Sequence, residues 1–147
     1  MKRVLLLATT TGYQTRMFAA AAQRHDVDLV YATDRCDQLA DPWGDRAIPV
    51  RFHEESKSVA TLLMALETRA VDGILAVGDR PTVMAAQLAR LLGLPGHPLD
   101  AAVAARDKRV ARERFRNAGL PAPASFTVPL ITDPAIVLPR VAFPVVL

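Results

Sequence analysis

Cysteine occurs once in the 147 residues, at Cys36, so an internal disulfide is impossible and no cysteine-based metal site is indicated. The three histidines, His25, His53 and His97, stand apart without ligand spacing. Long hydrophobic runs are missing too: no stretch approaches the roughly 20 apolar residues that a membrane span needs. Met1-Lys2-Arg3 followed by Val4 to Ala8 imitates a secretory leader in outline. Its apolar run is only about five residues, short of the usual 7–15, and reads better as a buried first strand. A cytoplasmic chain with no membrane partner is expected. Neither a Gly-x-Gly-x-x-Gly fingerprint nor a Walker phosphate loop occurs, which argues against dinucleotide-binding and P-loop classes.

Half of the residues are hydrophobic, enough for a sizeable core. Short apolar runs at Val4–Ala8, Leu29–Ala32, Ala47–Val50 and Gly73–Val77 alternate with alanine-rich helical patterns over Thr15–His25, Ser56–Ala70 and Pro81–Leu92. This alternation predicts an α/β fold, a Rossmann-like parallel sheet of about four strands with helices on both faces. VLLLA and GILAV are continuously apolar, as strands covered on both faces are. AIPV holds Pro49, which lacks a ladder donor and belongs near an edge. The strand order 3-2-1-4 satisfies these preferences.

In such a sheet ligands bind outside the carboxyl ends of strands 1 and 4, where the winding reverses. Thr9-Thr10-Thr11-Gly12-Tyr13 and Gly78-Asp79-Arg80-Pro81 would face that crevice, and both lead into helices whose free N–H groups receive anions. Thr10, Thr11, Gly12, Gly78 and Asp79 are therefore the candidate substrate-binding residues. A plainer reading makes the two glycines turn formers and the threonines and Asp79 helix caps.

After Leu92 the pattern changes. Gly93–Pro98 is a break, Leu99–Ala105 a short helix, and six of the eleven residues from Arg106 to Arg116 are basic. That segment carries +4 while the whole chain carries +3, so the rest is slightly acidic. Gly119 and Pro121 stop a helix running from about Asp107 to Ala118. Along it Lys108, Ala111, Phe115 and Ala118 share one stripe, with Phe115 on the buried side. Arg109, Arg112, Arg114 and Arg116 are spread around the helix, and no aromatics are interleaved for base stacking. Most of the run is thus a solvated face, and no specific nucleic-acid partner is expected. Lys108 differs: it sits in the first turn, where the macrodipole disfavours a cation unless it reaches a phosphate or snorkels to solvent. Six prolines crowd the last 27 residues. Ser125–Val128 and the terminal FPVVL read as strands with a poor helix between them, and this tail looks like the opening of a second domain.

Asp107 to Pro123, read as D-K-x-x-x-R-x-x-F-x-x-A-G-L-P-x-P, resembles the start of the nucleotide-binding part of ATP-grasp ligases. Phe143-Pro144-Val145-Val146-Leu147 is similar to their following strand, and the first 98 residues resemble the preceding pre-ATP-grasp domain. The likeness implies residues 1–98 as that domain, 99–119 as connecting helices and 120–147 as an incomplete start of the ATP-grasp domain. It further implies ATP-dependent joining of a carboxylate to an amine or similar nucleophile through an acylphosphate, with ATP and Mg2+ used by the full-length enzyme. Lys108 takes the role of an ATP-phosphate lysine. A second phosphate lysine, a glycine-rich loop and the magnesium ligands are expected beyond Leu147, so the chain alone is expected to be inactive. The first domain commonly helps form the substrate pocket and allows a homodimer. Amino-acid ligase-like and biotin carboxylase-like members fit equally. Two other classes stay open on the residues alone, a stand-alone α/β small-ligand or regulatory module and a nucleic-acid-binding module using residues 106–116.

Overall fold

The computed structural model describes residues 1–9, 14–34 and 47–144. It forms two compact units, Met1–Asp107 and Lys108–Leu147.

The first unit is built on four parallel strands: β1 (Lys2–Ala8), β2 (Val27–Thr33), β3 (Ile48–Pro49) and β4 (Gly73–Val77). Their order is β3-β2-β1-β4, as the sequence pattern predicts. β1 pairs with β2 from Lys2↔Val27 to Ala8↔Thr33, and with β4 from Val4↔Gly73 to Ala8↔Val77. β3 is a two-residue edge strand holding Pro49, joined to β2 through Ala32↔Ile48 and Thr33↔Pro49. A missing donor costs nothing on an open edge, which is why proline is tolerated there.

Four helices complete the unit: α1 (Gln14–Arg24), α2 (Glu55–Glu67), α3 (Asp79–Leu91) and α4 (Leu99–Arg106). The chain moves one way across the sheet from β1 to β2 and the other way from β3 to β4. Right-handed crossovers therefore put α1 and α2 on opposite faces. On the α2 side, Leu5, Leu7, Val30 and Ala32 of the central strands meet Val59, Leu62 and Leu66 of α2 and Met84 and Leu88 of α3 in one buried cluster. Alternation turns Leu6 and Ala8, both fully buried, to the other face. There α1 packs along β2, yet none of its own residues is buried. α4 lies on α3 and shares with it a smaller cluster of Val83, Ala86 and Ala102.

The amino ends of the strands are tied by charge. Asp72, just before β4, accepts hydrogen bonds from Lys2 Nζ (2.7 Å) and the Arg3 amide (2.8 Å), and Arg3 pairs with Asp28 across the β1–β2 register.

The second unit begins with α5 (Lys108–Asn117) and contains α6 (Pro134–Val137) followed by a 3-10 turn over Leu138–Arg140. The expected stop at Gly119 is present. Its φ of +68° is a left-handed conformation that favours glycine, and Leu120 N–H reaches back to Phe115 O (2.9 Å) while Gly119 N–H bonds Arg116 O (3.0 Å).

Two expectations need correction here. Phe115 is 47 % exposed and α5 has no buried residue, so its apolar stripe remains open to solvent. Periodicity identifies an apolar face but does not supply its partner. Ser125–Val128 is not a strand. β-propensity forms a strand only with a ladder partner for its N–H and C=O groups, and none pairs with this segment among the described residues. Of the terminal FPVVL segment, Val145–Leu147 lie outside the described residues.

Candidate functional site

The register Ala8↔Val77 brings the carboxyl ends of the two central strands side by side. Thr9 leaves β1 and Gly78 leaves β4 at neighbouring points, at the topological switch point where open α/β sheets bind ligands. Thr10, Thr11 and Gly12 lie outside the described residues. Gly78 and Asp79 are described, and both are exposed at this end.

Gly78 is the residue before α3, with φ +94° and ψ 169°. That backbone conformation is essentially restricted to glycine. A Cβ at this point would meet nothing closer than Pro81 Cδ at 4.0 Å, so the requirement lies in the backbone and not in space. The turn aims the first amides of α3 out of the sheet. Pro81 has no N–H, which leaves those of Asp79 and Arg80 as the free donors of the first turn. The Thr82 hydroxyl donates to Gly78 O at 2.8 Å and locks the corner. Asp79 does not cap α3 with its side chain, against the plainer reading above; it is the first helical residue, where a carboxylate suits the positive helix end.

Beside this corner runs an open cavity of about 520 Å³. Gln14, Met17, Phe18, Ala21 and Arg24 of α1 form one wall, and Ala76, Val77 and Gly78 the other. Its walls are mostly apolar. The polar groups at the mouth are Gln14, the α3 amides and the Asp79 carboxylate. Such a set offers an amide donor to a carboxylate and a carboxylate acceptor to an ammonium group, with apolar surface beyond.

The corner at the carboxyl end of β3 is also built from local pairs. Ser58, buried in the first turns of α2, exchanges two hydrogen bonds with the backbone of Arg51. Lys57 Nζ donates to Glu54 Oε2 at 2.7 Å; this bond and its charge hold the Glu54 carboxyl below its usual value and the Lys57 ammonium above its own. Glu55, the first residue of α2, receives Arg106 Nη1 at 2.7 Å from the end of α4. No motif marks this pair in the sequence: its partners are 51 positions apart.

Lys108 opens α5 in the second unit and is exposed. Arg109 and Glu113 form an i,i+4 pair at 3.4 Å, while Arg114 and Arg116 sit in the last turn, where the dipole favours cations. An exposed ammonium at a helix start fits a phosphate oxygen. Among the described residues no group of three acidic, histidine or cysteine side chains could hold a metal ion, so magnesium ligands cannot be assigned to them. No helix among these residues is long and apolar enough to cross a membrane.

Residues 18–96 match the family model of the ATP-grasp N-terminal domain. No curated protein matches the chain in sequence. Its fold is similar to that of L-amino acid ligase from Bacillus licheniformis, with a TM-score of 0.70 and 18 % identity over 84 % of this chain and 32 % of that one. N5-carboxyaminoimidazole ribonucleotide synthetase from Thermus thermophilus gives 0.62 and 22 % over 95 % and 37 %. Phosphoribosylglycinamide synthetase from Anaerococcus prevotii gives 0.57 and 21 % over 80 % and 29 %. At these identities the likeness is one of fold, and the chain spans only about a third of the length of each.

Proposed function

Because the chain belongs to the ATP-grasp N-terminal domain family, we propose that it is the amino-terminal portion of a cytoplasmic ATP-dependent ligase that joins a carboxylate to an amine through an acylphosphate. The family match over residues 18–96 is the observation that carries this reading. The switch-point corner supports it, since the Asp79 and Arg80 amides and the Asp79 carboxylate supply complementary polar groups beside an apolar cavity. On this reading Gly78 and Asp79, with Thr10, Thr11 and Gly12 of the neighbouring loop, contact the acid or amine substrate.

A carboxylate resists attack by an amine because its oxygen is a poor leaving group. Phosphorylation converts that oxygen into one that departs as phosphate, at the expense of ATP. The chain's own contribution is to orient the substrate at the sheet end and to place one cation, Lys108, on an ATP phosphate. Magnesium, when bound, supplies further charge neutralisation at the phosphates, and its ligands belong to the remainder of the enzyme. Phosphoryl transfer depends on several such charges gathered at once. Micromolar affinity for ATP corresponds to about 8 kcal/mol, far more than one solvated lysine contributes.

Calorimetry and ADP release on the 147-residue chain, on the enzyme extended through the rest of the ATP-grasp domain, and on its Lys108→Ala variant test this. The short chain is expected to bind ATP weakly and release no ADP, and the extended variant to lose ATP use. Tight ATP binding by the short chain, or an unaffected variant, would remove Lys108 from the mechanism.

A further inference from the structure

We propose that Glu55 is a positioning residue for Lys108, acting through Arg106. This rests on the assignment of Lys108 to an ATP phosphate made above.

α4 is held at two places. Along its length Ala102 packs with Val83 and Ala86 of α3. At its last residue Arg106 donates to Glu55 at 2.7 Å, with the two side chains 38 % and 32 % exposed. Glu55 stands at the positive end of α2 and Arg106 at the negative end of α4, so each charge also complements its own helix. The Glu55 end is firm. Glu54 N–H bonds Arg51 O (2.8 Å), Ser58 N–H bonds Glu54 O (3.0 Å), and the buried Ser58 hydroxyl closes on the Arg51 backbone. Arg106 is thereby pinned to a rigid corner at the carboxyl end of β3.

Only Asp107 separates this anchor from Lys108. Asp107 is extended (φ −98°, ψ 107°), with its amide on Val103 O at 3.1 Å, and the boundary between the two compact units falls directly after it. Helix ends fray, and a last turn with several carbonyls unsatisfied frays most readily. The Glu55–Arg106 pair opposes that fraying two residues before the lysine. An exposed ion pair adds little to global stability. Its effect is therefore local, on where the α4–α5 joint begins, and a phosphate contact is sensitive to displacements of that size.

The test compares Glu55→Gln, Arg106→Gln, the reciprocal Glu55→Arg/Arg106→Glu exchange and Lys108→Ala in the ligase carrying these residues, by steady-state ADP release. Each single variant should raise KM for ATP by about two- to fivefold, in line with the strength of an exposed pair. KM for the acid substrate should stay unchanged, and the exchange should restore KM for ATP. In the 147-residue chain, Glu55→Gln should speed hydrogen exchange at the Asp107 amide while leaving the β1 amides protected. If Lys108→Ala impairs ATP use but the single variants keep the parent KM, the positioning role is overturned and the ligase reading stands. If Lys108→Ala has no effect, both fall. Unaltered exchange at Asp107 would also overturn the inference, whatever the kinetics.

Discussion

Ser58 satisfies both backbone groups of Arg51: its hydroxyl donates to the Arg51 carbonyl at 2.9 Å and accepts from the Arg51 amide at 2.8 Å. Ser58 is 4 % exposed, so neither bond is readily replaced by water. Ser58→Ala leaves a buried amide and carbonyl short of partners, at a cost of about 1–3 kcal/mol. Urea unfolding should show this as a lower midpoint with an unchanged slope. Stability equal to that of the parent would mean that the β3–α2 corner does not depend on the hydroxyl.

Gly78→Ala tests the backbone requirement at the switch point. With φ at +94° and no close contact awaiting the new methyl, the cost is conformational, about 1–3 kcal/mol. Either the first unit loses that much stability or the turn relaxes and the first amides of α3 re-aim. In the extended enzyme the second outcome appears as a raised KM for the acid or amine substrate. A variant unchanged in both measurements would show that the turn is not strained for an L residue.

Asp72 makes the unit sensitive to acid. Its carboxyl is held below the ordinary value of 3.8, first by the hydrogen bond from Lys2 Nζ and then by the Arg3 amide. The folded chain thus binds this proton less tightly than the unfolded one. The stabilisation is present above the unfolded value and is lost as pH falls through the lower, folded one. Asp72→Asn should lower stability at neutral pH and flatten the acid limb of the stability curve. Parallel acid limbs for the two proteins would assign the acid sensitivity to other groups.

The arginines of α5 should bind duplex DNA only weakly and without sequence preference. They are dispersed around the helix, Arg109 is engaged with Glu113, and the rest of the chain is slightly acidic. Any binding should fall steeply with salt, as phosphate contacts do. Sequence-selective, submicromolar binding at physiological salt would contradict this.

The sheet was legible in the sequence because its determinants are local and periodic. Continuous apolar runs marked β1 and β4 as central, and Pro49 marked β3 as an edge, so the order β3-β2-β1-β4 followed. The place of the crevice followed from that order, since the winding must reverse between β1 and β4. The stop of α5 at Gly119 was equally local. What required the tertiary structure is whatever depends on a partner distant in the chain. Phe115 lies on an apolar stripe but has nothing to bury it, and Ser125–Val128 has strand-forming residues but no ladder partner. Glu55 and Arg106 are two unremarkable charges until the packing of α4 on α3 brings the end of α4 to the start of α2. Periodicity states which face of an element is apolar or charged; only the fold states what meets it.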